Sequence, residues 1–388
     1  MDLDLTEAEC ALRDAVRAWL EEHVPAERLA SPDTPRGLEQ HRDWERQLFD
    51  AGFAAVSWPV EHGGGGLDPI GTAVFYGEYV RAGAPGRLNR IGLGLCGPTL
   101  MEWGTPAQQK RWLRSILTCE DLWCQGFSEP DAGSDLAALR TRGELTPEGV
   151  VVNGQKVWTS HSRHAAWMFA LVRTDPDGRR HDGLTLVMIA MDSPGVEVRP
   201  IRQIHGGVDF SEVFLTDVQV PREGIVGPIG AGWQVAMTAL RHERGSGLNT
   251  PDHFDRALRD VAAMVPADRR DDPRLLERLG RLAEEVEAYR RMSLRTLTEM
   301  TEGRPLGAQS MMGKLWWSEM QTRIFDLAFD LLGEDGVLAD SDDEGTAGLS
   351  YRYWLSRAAH IFAGTNEIQR DVIAERVLAM PKGTRRAG

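Results

Sequence analysis

The segment covering residues 127–135, Phe-Ser-Glu-Pro-Asp-Ala-Gly-Ser-Asp, is the first place where residue types and spacing could do chemistry. It carries two hydroxyls, on Ser128 and Ser134, around a proline and a glycine. Hydroxyls and the backbone N–H groups of such a turn can cradle a phosphate or a flavin. The same residues are ordinary turn formers, so a polar turn without a ligand is the other interpretation.

A second segment, residues 361–370, reads Ile-Phe-Ala-Gly-Thr-Asn-Glu-Ile-Gln-Arg. It is typical of a loop that delivers Gly364 and Thr365 to the start of a helix. Thr365 is a favourable N-cap, and Glu367 would supply an acidic first turn. A helix N-terminus is itself an anion site, so a capping role and a ligand-binding role are compatible.

A carboxylate at the end of an apolar helix face is the third candidate. Trp233, Met237 and Leu240 recur at helical spacing, and Glu243 lies three residues beyond Leu240. We therefore expect Glu243 on the same, inward-pointing face. A desolvated carboxylate has the raised pKa that suits a general base. An ion pair with a neighbouring basic side chain, or a solvated helix end, is the alternative.

The elements that must position these residues fall into three stretches. Helical periodicity dominates the first ~120 residues and returns from residue 232, and a strand-rich stretch lies between them. A chain of 388 residues exceeds what one core usually serves. We expect an α+β fold with a helical domain at 1–121, an antiparallel β domain at 122–226 and a helical domain at 227–388. The predicted strands cover residues 150–159, 167–174, 184–192, 196–204 and 211–220, and the last predicted helix covers residues 358–378.

Composition excludes several classes of function. The net charge of −14 argues against a nucleic-acid partner, which would require a basic surface. No apolar run approaches the ~18 residues of a membrane span, and the acidic start lacks the features of a signal peptide, so a cytoplasmic location is expected. The four cysteines show no metal-type spacing, and no metal site is expected. The four glycines at residues 63–66 indicate either a flexible loop or a loop that passes close to a ligand.

Five sequence blocks in order resemble motifs of the acyl-CoA dehydrogenase family. They are residues 58–66, 127–135, 153–160, 210–221 and 364–370. Each motif is moderately specific, but together they span nearly the whole chain. The resemblance implies a helical domain, a middle β domain and a C-terminal four-helix bundle. It also implies FAD as cofactor and oxidation of an acyl thioester between its α and β carbons.

The resemblance also implies roles for individual residues. Trp158 would pack against the flavin ring, and Ser160 would hydrogen-bond to it. The backbone N–H of residue 363 would hold the thioester oxygen. The implied cofactor-binding residues are Gln125, Phe127, Ser128, Ser134, Trp158, Ser160, Thr365, Asn366 and Glu367. The implied substrate-binding residues are Ser134, Arg244, Ala363 and Gly364.

The position of the catalytic base distinguishes branches of this family. Many members place a glutamate immediately before the Gly-Thr pair, where this chain has Ala363. Others, such as the isovaleryl- and long-chain acyl-CoA dehydrogenases, place it on the helix after the β domain, followed by an arginine. Glu243 and Arg244 match that second pattern. We therefore predict Glu243 as the base.

Two departures from the family pattern concern the neighbouring subunit. Residues 249–272 lack the usual Arg-Phe-Gly segment, and the later glycine-rich stretch starts with Asp330 and carries Glu334 and Asp335. These acidic residues put inter-subunit flavin contacts in question and hint at a different partner subunit.

The sequence alone does not decide the oligomeric assembly, the carrier of the acyl group or the type of flavin reaction. A homo-tetramer, a homo-dimer and a hetero-oligomer are possible, with an electron-transfer flavoprotein as acceptor and CoA or a carrier protein bearing the acyl group. The alternatives to a dehydrogenase are a flavin oxidase or monooxygenase on the same fold, and a non-catalytic subunit of a heteromeric dehydrogenase.

Overall fold

The fold consists of helices on either side, in chain order, of a strand-rich middle. A computed structural model describes residues 5–245, 251–304, 307, 310–338 and 344–381. The helices are α1 (Glu7–His23), α2 (Pro35–Asp50), α3 (Pro69–Arg81), α4 (Gly97–Trp103), α5 (Pro106–Leu117), α6 (Gly232–Gly245), α7 (Pro251–Ala263), α8 (Pro273–Thr301), α9 (Ser310–Leu332), α10 (Glu334–Leu338), α11 (Glu344–Ala358) and α12 (Asn366–Val372). The strands are β1 (Trp123–Gly126), β2 (Arg142–Leu145), β3 (Gly149–Ser160), β4 (Trp167–Arg173), β5 (Leu184–Ala190), β6 (Val196–Ile201), β7 (Phe210–Pro221) and β8 (Ile225–Val226).

Two compact units share the chain. The β unit comprises residues 25–67 and 85–246, and it holds all eight strands with α2, α4, α5 and α6. The helical unit comprises residues 1–24, 68–84 and 247–388, and it holds α1, α3 and the helices from α7 onward. Helix α1 packs on α3, and α3 packs on α7 and α8, so both N-terminal helices belong to the unit of the C-terminal helices.

A single sheet with the order β6-β7-β3-β2-β4-β5-β8 forms the centre of the β unit, and β1 pairs with β4 outside that path. The predicted antiparallel arrangement is confirmed for the long strands, as in β3 with β7 and β4 with β5. Two pairings are parallel, because β1 and β2 both run parallel to β4 where they pair with it. The chain leaves β1 through the 127–141 loop and passes through β2 and β3 before it returns as β4.

Alternation along β4 gives the β unit a core on each face of the sheet. Phe169 and Leu171 pack with helical residues such as Leu100 and Ile116. Met168 and Ala170 point the other way and pack with residues of β3, β5 and β7. The sheet is therefore buried on both faces around β4, which fixes the strand ends that carry the candidate site.

In the helical unit, α7, α8, α9 and α11 enclose one core that includes Val261, Val286 and Ile324. This arrangement agrees with the expected four-helix bundle. The single helix predicted for residues 358–378 is wrong, because α11 ends at Ala358 and α12 starts at Asn366. Ala363 and Gly364 between them have φ of +54° and +86°, which no right-handed helix accommodates.

Helix α6 buries the predicted stripe together with a neighbouring row of small residues. Ala236, which continues that stripe, is fully buried, and Trp233 and Leu240 are half-buried against the same core. Val235 and Ala239, outside the stripe, are fully buried as well. The small residues decide the orientation, because they let the helix approach β5 closely. A Cβ on Gly232, at the start of α6, would lie 2.6 Å from the backbone nitrogen of Thr185.

The four consecutive glycines form an ordered turn instead of a flexible loop. The N–H of Gly65 donates to the oxygen of Ala55 at 3.1 Å, and that of Gly66 donates to the oxygen of Trp58 at 2.9 Å. A Cβ on Gly64 would lie 2.3 Å from the Trp58 carbonyl oxygen. The close approach that these glycines permit is thus to this chain's own backbone.

Gly97, at the start of α4, offers a direct test of packing in the β unit. A Cβ there would lie 2.0 Å from the buried ring of Trp58, whereas a Cβ on Gly94 would meet nothing within 4 Å. We expect Gly97→Ala to lower the free energy of unfolding by about 1–3 kcal/mol through overpacking. The matched Gly94→Ala variant should stay within about 1 kcal/mol of wild type. Denaturant unfolding followed by circular dichroism measures both, and equal effects would contradict this packing.

Candidate functional site

The loop after β1 is anchored at both of its ends. Phe127 is buried and packs on Phe169 with ring centroids 5.0 Å apart. Glu129 and Ala132 exchange two backbone hydrogen bonds of 3.0 Å, which close the turn around Pro130. The loop is therefore built from its own contacts and needs no ligand to hold its shape.

The hydroxyls and the amide predicted to meet a cofactor differ in exposure. Ser128 and Gln125 are half-buried, and Ser134 is exposed. With the residues that the structure describes, their side chains form no hydrogen bond, so these polar groups at the edge of the β unit are available to a ligand.

Glu129 is the buried acceptor within this loop. Its carboxylate accepts hydrogen bonds from the N–H groups of Arg140, at 2.6 Å, and Thr141, at 2.9 Å. It also accepts one from the Lys156 ammonium at 2.7 Å. Burial by itself raises the pKa of Glu129, but Lys156 and the hydrogen bonds to the carboxylate outweigh that effect and hold the pKa below its ordinary value. Glu129 is thus an anion at neutral pH.

Lys156, on β3, is completely buried. Its ammonium donates to the Glu129 carboxylate and to the backbone oxygens of Leu171, at 2.7 Å, and Phe127, at 3.3 Å. Three protons meet three acceptors, so the buried charge is fully hydrogen-bonded. Burial lowers the pKa of Lys156, and Glu129 opposes that shift. Sequence reasoning missed this pair, although a lysine inside a valine-rich strand is a signal for a buried charge with a partner.

Trp158 is the most unusual residue of the β unit. Its side chain is 58% exposed, its φ is +58°, and its ring meets Phe210 edge-on at 6.2 Å. The pairing of β3 with β7 shifts register between Lys156 and Thr159, which marks a β-bulge at this point. A large aromatic residue in the left-handed region costs about 1–3 kcal/mol and is typical of functional sites. The bulge turns the indole face outward, where a flat ligand could stack on it.

Ser128, Trp158 and Ser160, three of the predicted cofactor residues, lie on two segments that a hydrogen bond joins. The N–H of Val157 donates to the oxygen of Ser128 at 3.0 Å, so the 127–128 segment lies against the bulge that carries Trp158. Ser160, half-buried, closes the same strand and pairs with Phe210. An exposed aromatic face thus lies beside two hydroxyls that can donate hydrogen bonds, which are the groups that a flavin ring requires.

In the helical unit, the predicted turn before α12 exposes its backbone. Ala363 and Gly364 are both exposed and both have positive φ. The Gln369 side-chain amide donates to the backbone oxygens of both residues at 3.2 Å, which holds the turn from one side. A Cβ on residue 364 would lie 2.5 Å from that amide nitrogen, which explains the glycine.

Thr365 caps α12 as predicted. Its hydroxyl accepts a hydrogen bond from the N–H of Ile368 at 3.2 Å. Glu367 is exposed in the first turn, and its own backbone N–H together with the Thr365 hydroxyl holds its pKa below the ordinary value. The cap is therefore pre-formed, and Glu367 is the exposed residue of the first turn.

Asn366 is buried and its side chain is taken up by the protein. Its oxygen accepts hydrogen bonds from Lys314, at 2.7 Å, and Ser318, at 3.1 Å, and its amide nitrogen lies 3.0 Å from the His360 ring. A direct side-chain contact from Asn366 to a cofactor would have to replace one of these bonds. In this structure the residue ties α12 to α9.

The predicted base is located only by its backbone. Glu243 and Arg244 lie in the last turns of α6, and their side chains fall outside the described residues. The neighbouring Arg241 is exposed and forms an ion pair with Glu102 at 2.6 Å, as expected for a surface arginine. Thr238 also donates to Glu102, at 3.1 Å, so α6 is held to α4 just before the predicted base.

The described residues contain neither a candidate metal site nor a membrane-spanning helix. No group of three or more His, Cys, Asp or Glu side chains in the described part of the chain could hold a metal ion. Among the described helices, none is both long and apolar enough to span a membrane.

Asp330, one of the acidic residues by which this chain departs from the family pattern, forms an ion pair with Arg278 at 2.7 Å.

Lys314 makes the turn before α12 testable through pH. Burial lowers its pKa to about 8, whereas an unfolded lysine titrates near 10.5. Between about pH 8 and 10.5 the unfolded state therefore binds more protons, and wild-type stability rises with pH. We expect this rise to be absent in Lys314→Met and retained in the exposed-lysine control Lys110→Met. Denaturant unfolding at several pH values measures it, and parallel pH profiles for the wild type and Lys314→Met would contradict the assignment.

Comparison with protein-family models gives three matches that follow one another along the chain. The N-terminal, middle and C-terminal domains of acyl-CoA dehydrogenases match residues 6–120, 124–218 and 230–378. Acyl-CoA dehydrogenase IpdE1 of Mycobacterium tuberculosis is 40% identical over 381 residues, which cover 95% of this chain and 97% of that protein.

Solved structures also match this chain over nearly its whole length. A structure described as the Tcur3481-Tcur3483 steroid ACAD has a TM-score of 0.86 at 29% identity and covers 99% of this chain and 100% of its own. The ChsE4-ChsE5 complex from Mycobacterium tuberculosis also has a TM-score of 0.86, at 27% identity over 99% of this chain and 100% of the matched chain. These matches confirm the expected fold. The chain belongs to the acyl-CoA dehydrogenase family, whose members bind FAD, and it is an acyl-CoA dehydrogenase.

Proposed function

We propose that this enzyme binds FAD and oxidises an acyl-CoA thioester between its α and β carbons, with Glu243 as the base. The observation that carries the proposal is the exposed indole of Trp158 on a strained bulge, beside the half-buried hydroxyls of Ser128 and Ser160. An apolar aromatic face with adjacent donors fits a flavin ring better than it fits solvent. FAD, when bound there, supplies the acceptor for the substrate's β hydride.

Residues of this chain carry out proton removal and stabilise the thioester oxygen. Glu243 removes the α proton, which requires a carboxylate whose pKa is raised in a dry pocket. The backbone N–H of Ala363 donates to the thioester oxygen and stabilises the negative charge that develops as the proton leaves. The side chain of residue 363 takes no part in that hydrogen bond, so an alanine there is compatible with activity.

The cofactor contacts divide between the two segments predicted from the sequence. Gln125, Phe127, Ser128, Ser134, Trp158 and Ser160 would meet the flavin. Thr365, Asn366 and Glu367 would lie toward the diphosphate and adenine. Arg244, Gly364 and Ser134 would border the substrate.

The acyl group is proposed to carry a bulky ring system. A solved structure described as a steroid ACAD matches nearly the whole chain at 29% identity. The same match and the ChsE4-ChsE5 complex support a hetero-oligomer as the assembly. An electron-transfer flavoprotein is proposed as the electron acceptor, as the family resemblance implies. The unusual acidic residues Glu334 and Asp335 are consistent with a partner subunit that differs from this chain.

Anaerobic titration with acyl-CoA thioesters tests substrate and base together. Bleaching of the flavin absorbance reports reduction, and the panel should include straight-chain, branched and ring-bearing acyl groups. We expect Glu243→Gln to slow bleaching by about 10²–10⁴-fold, the usual contribution of a general base. Glu148→Gln, the same change at an exposed glutamate in a β-turn, should bleach at the wild-type rate.

The same titration separates the alternatives. A Glu243→Gln variant that bleaches as fast as wild type overturns the base. Rapid reoxidation in air with product bound would favour an oxidase. A purified chain that takes up FAD only when mixed with a partner subunit, and that no thioester bleaches, would favour a non-catalytic subunit.

A further inference from the structure

Among the described residues of the β unit, two ion pairs are buried, and one of them underlies the proposed flavin site. Lys156 and Glu129 lie 2.7 Å apart, and Arg87 and Glu45 lie 2.8 Å apart, with all four side chains buried. A buried ion pair seldom stabilises a fold more than apolar side chains of similar size would, because both charges lose their hydration. A buried pair is therefore better explained by the backbone segments that it holds in place than by its contribution to stability.

The Lys156–Glu129 pair joins three separate segments of backbone. Lys156 donates to the oxygen of Phe127, at the start of the loop after β1, and to the oxygen of Leu171 on β4. Glu129 accepts from the N–H groups of Arg140 and Thr141, where the same loop ends. Each interaction is a hydrogen bond to the main chain, so the pair fixes backbone positions rather than side-chain packing.

Both surfaces proposed to meet the flavin lie next to this pair. Ser128 stands between Phe127 and Glu129, and Trp158 is two residues beyond Lys156 on the bulge. The hydrogen bond from the Val157 N–H to the Ser128 oxygen connects the two directly. The positive φ of Trp158 persists only where surrounding contacts over-determine it.

We propose that Lys156 is a positioning residue for the flavin, and that its buried ammonium locks the Phe127–Ser128 segment and the Trp158 bulge into one arrangement. The inference rests on the proposed function, since it concerns the same cofactor site. The residue itself does not touch the flavin. It acts through the two segments that do, as outer-layer partners of a binding site commonly act.

A purely structural role predicts a different outcome from a positioning role. Lys156→Met alone leaves the Glu129 charge buried without its partner, which destabilises the protein. The double variant Lys156→Met/Glu129→Gln removes both charges, and the glutamine oxygen can still accept a backbone N–H. Stability should therefore recover in the double variant. If Lys156 only stabilises the fold, FAD affinity should recover with it.

The test compares three variants with wild type. They are Lys156→Met, Lys156→Met/Glu129→Gln and the control Arg87→Met/Glu45→Gln, which removes the second buried pair. The measurements are the thermal midpoint, the Kd for FAD, and hydrogen exchange of residues 155–160 in the FAD-free full chain. Exchange reports the Val157 N–H directly and does not depend on enzyme activity.

We expect the double Lys156/Glu129 variant to regain most of the thermal stability lost in Lys156→Met. Its Kd for FAD should nevertheless stay raised by about ten- to a hundredfold, the range seen when an outer partner of a binding site is removed. Exchange at residues 155–160 should be faster in both Lys156 variants. The Arg87/Glu45 control should keep wild-type FAD affinity and wild-type exchange in that segment.

The proposal is overturned if the double variant binds FAD as tightly as wild type, or if exchange at residues 155–160 is unchanged in both Lys156 variants. It is also overturned if the Arg87/Glu45 control loses FAD affinity to the same extent. Failure of the proposed function looks different, because the wild-type chain would then bind no FAD while the exchange result would stand on its own.

Discussion

Burial of the Lys156 ammonium is the constraint on which the rest of the β unit depends. A charge with no exposure must find three acceptors inside the protein, and it finds them on the loop after β1, on β4 and on Glu129. Satisfying that charge determines where the loop starts and where it ends. It also determines how the following bulge leaves the sheet with Trp158 facing outward.

The C-terminal turn follows the same principle in the helical unit. Lys314 is buried and bound to Asn366, and that bond ties the first residue of α12 to α9. The Ala363–Gly364 backbone, with two successive positive φ values, is held from the other side by Gln369. In both units, a buried lysine that need not contact a ligand holds an exposed surface in place. That surface is the Trp158 indole in the β unit and the Ala363–Gly364 backbone in the helical unit.

Sequence reasoning succeeded where periodicity and local chemistry agree. The five long strands, the Thr365 cap and the turn around Pro130 need only neighbours along the chain. It failed where distant packing decides. The wider buried face of α6 depends on small residues that approach β5, and β1 was missed because four residues carry too little pattern. The Lys156–Glu129 pair spans 27 positions, and no local pattern joins its members.

The outward face of Trp158 is where we propose that the flavin binds. Titrating FAD into the apoprotein while following flavin fluorescence tests this directly, since contact with an indole quenches the flavin. We expect strong quenching in wild type and in Trp316→Phe, a change at an exposed tryptophan of the helical unit. In Trp158→Phe, bound flavin should be clearly brighter. Equal quenching in Trp158→Phe and wild type would contradict the claim.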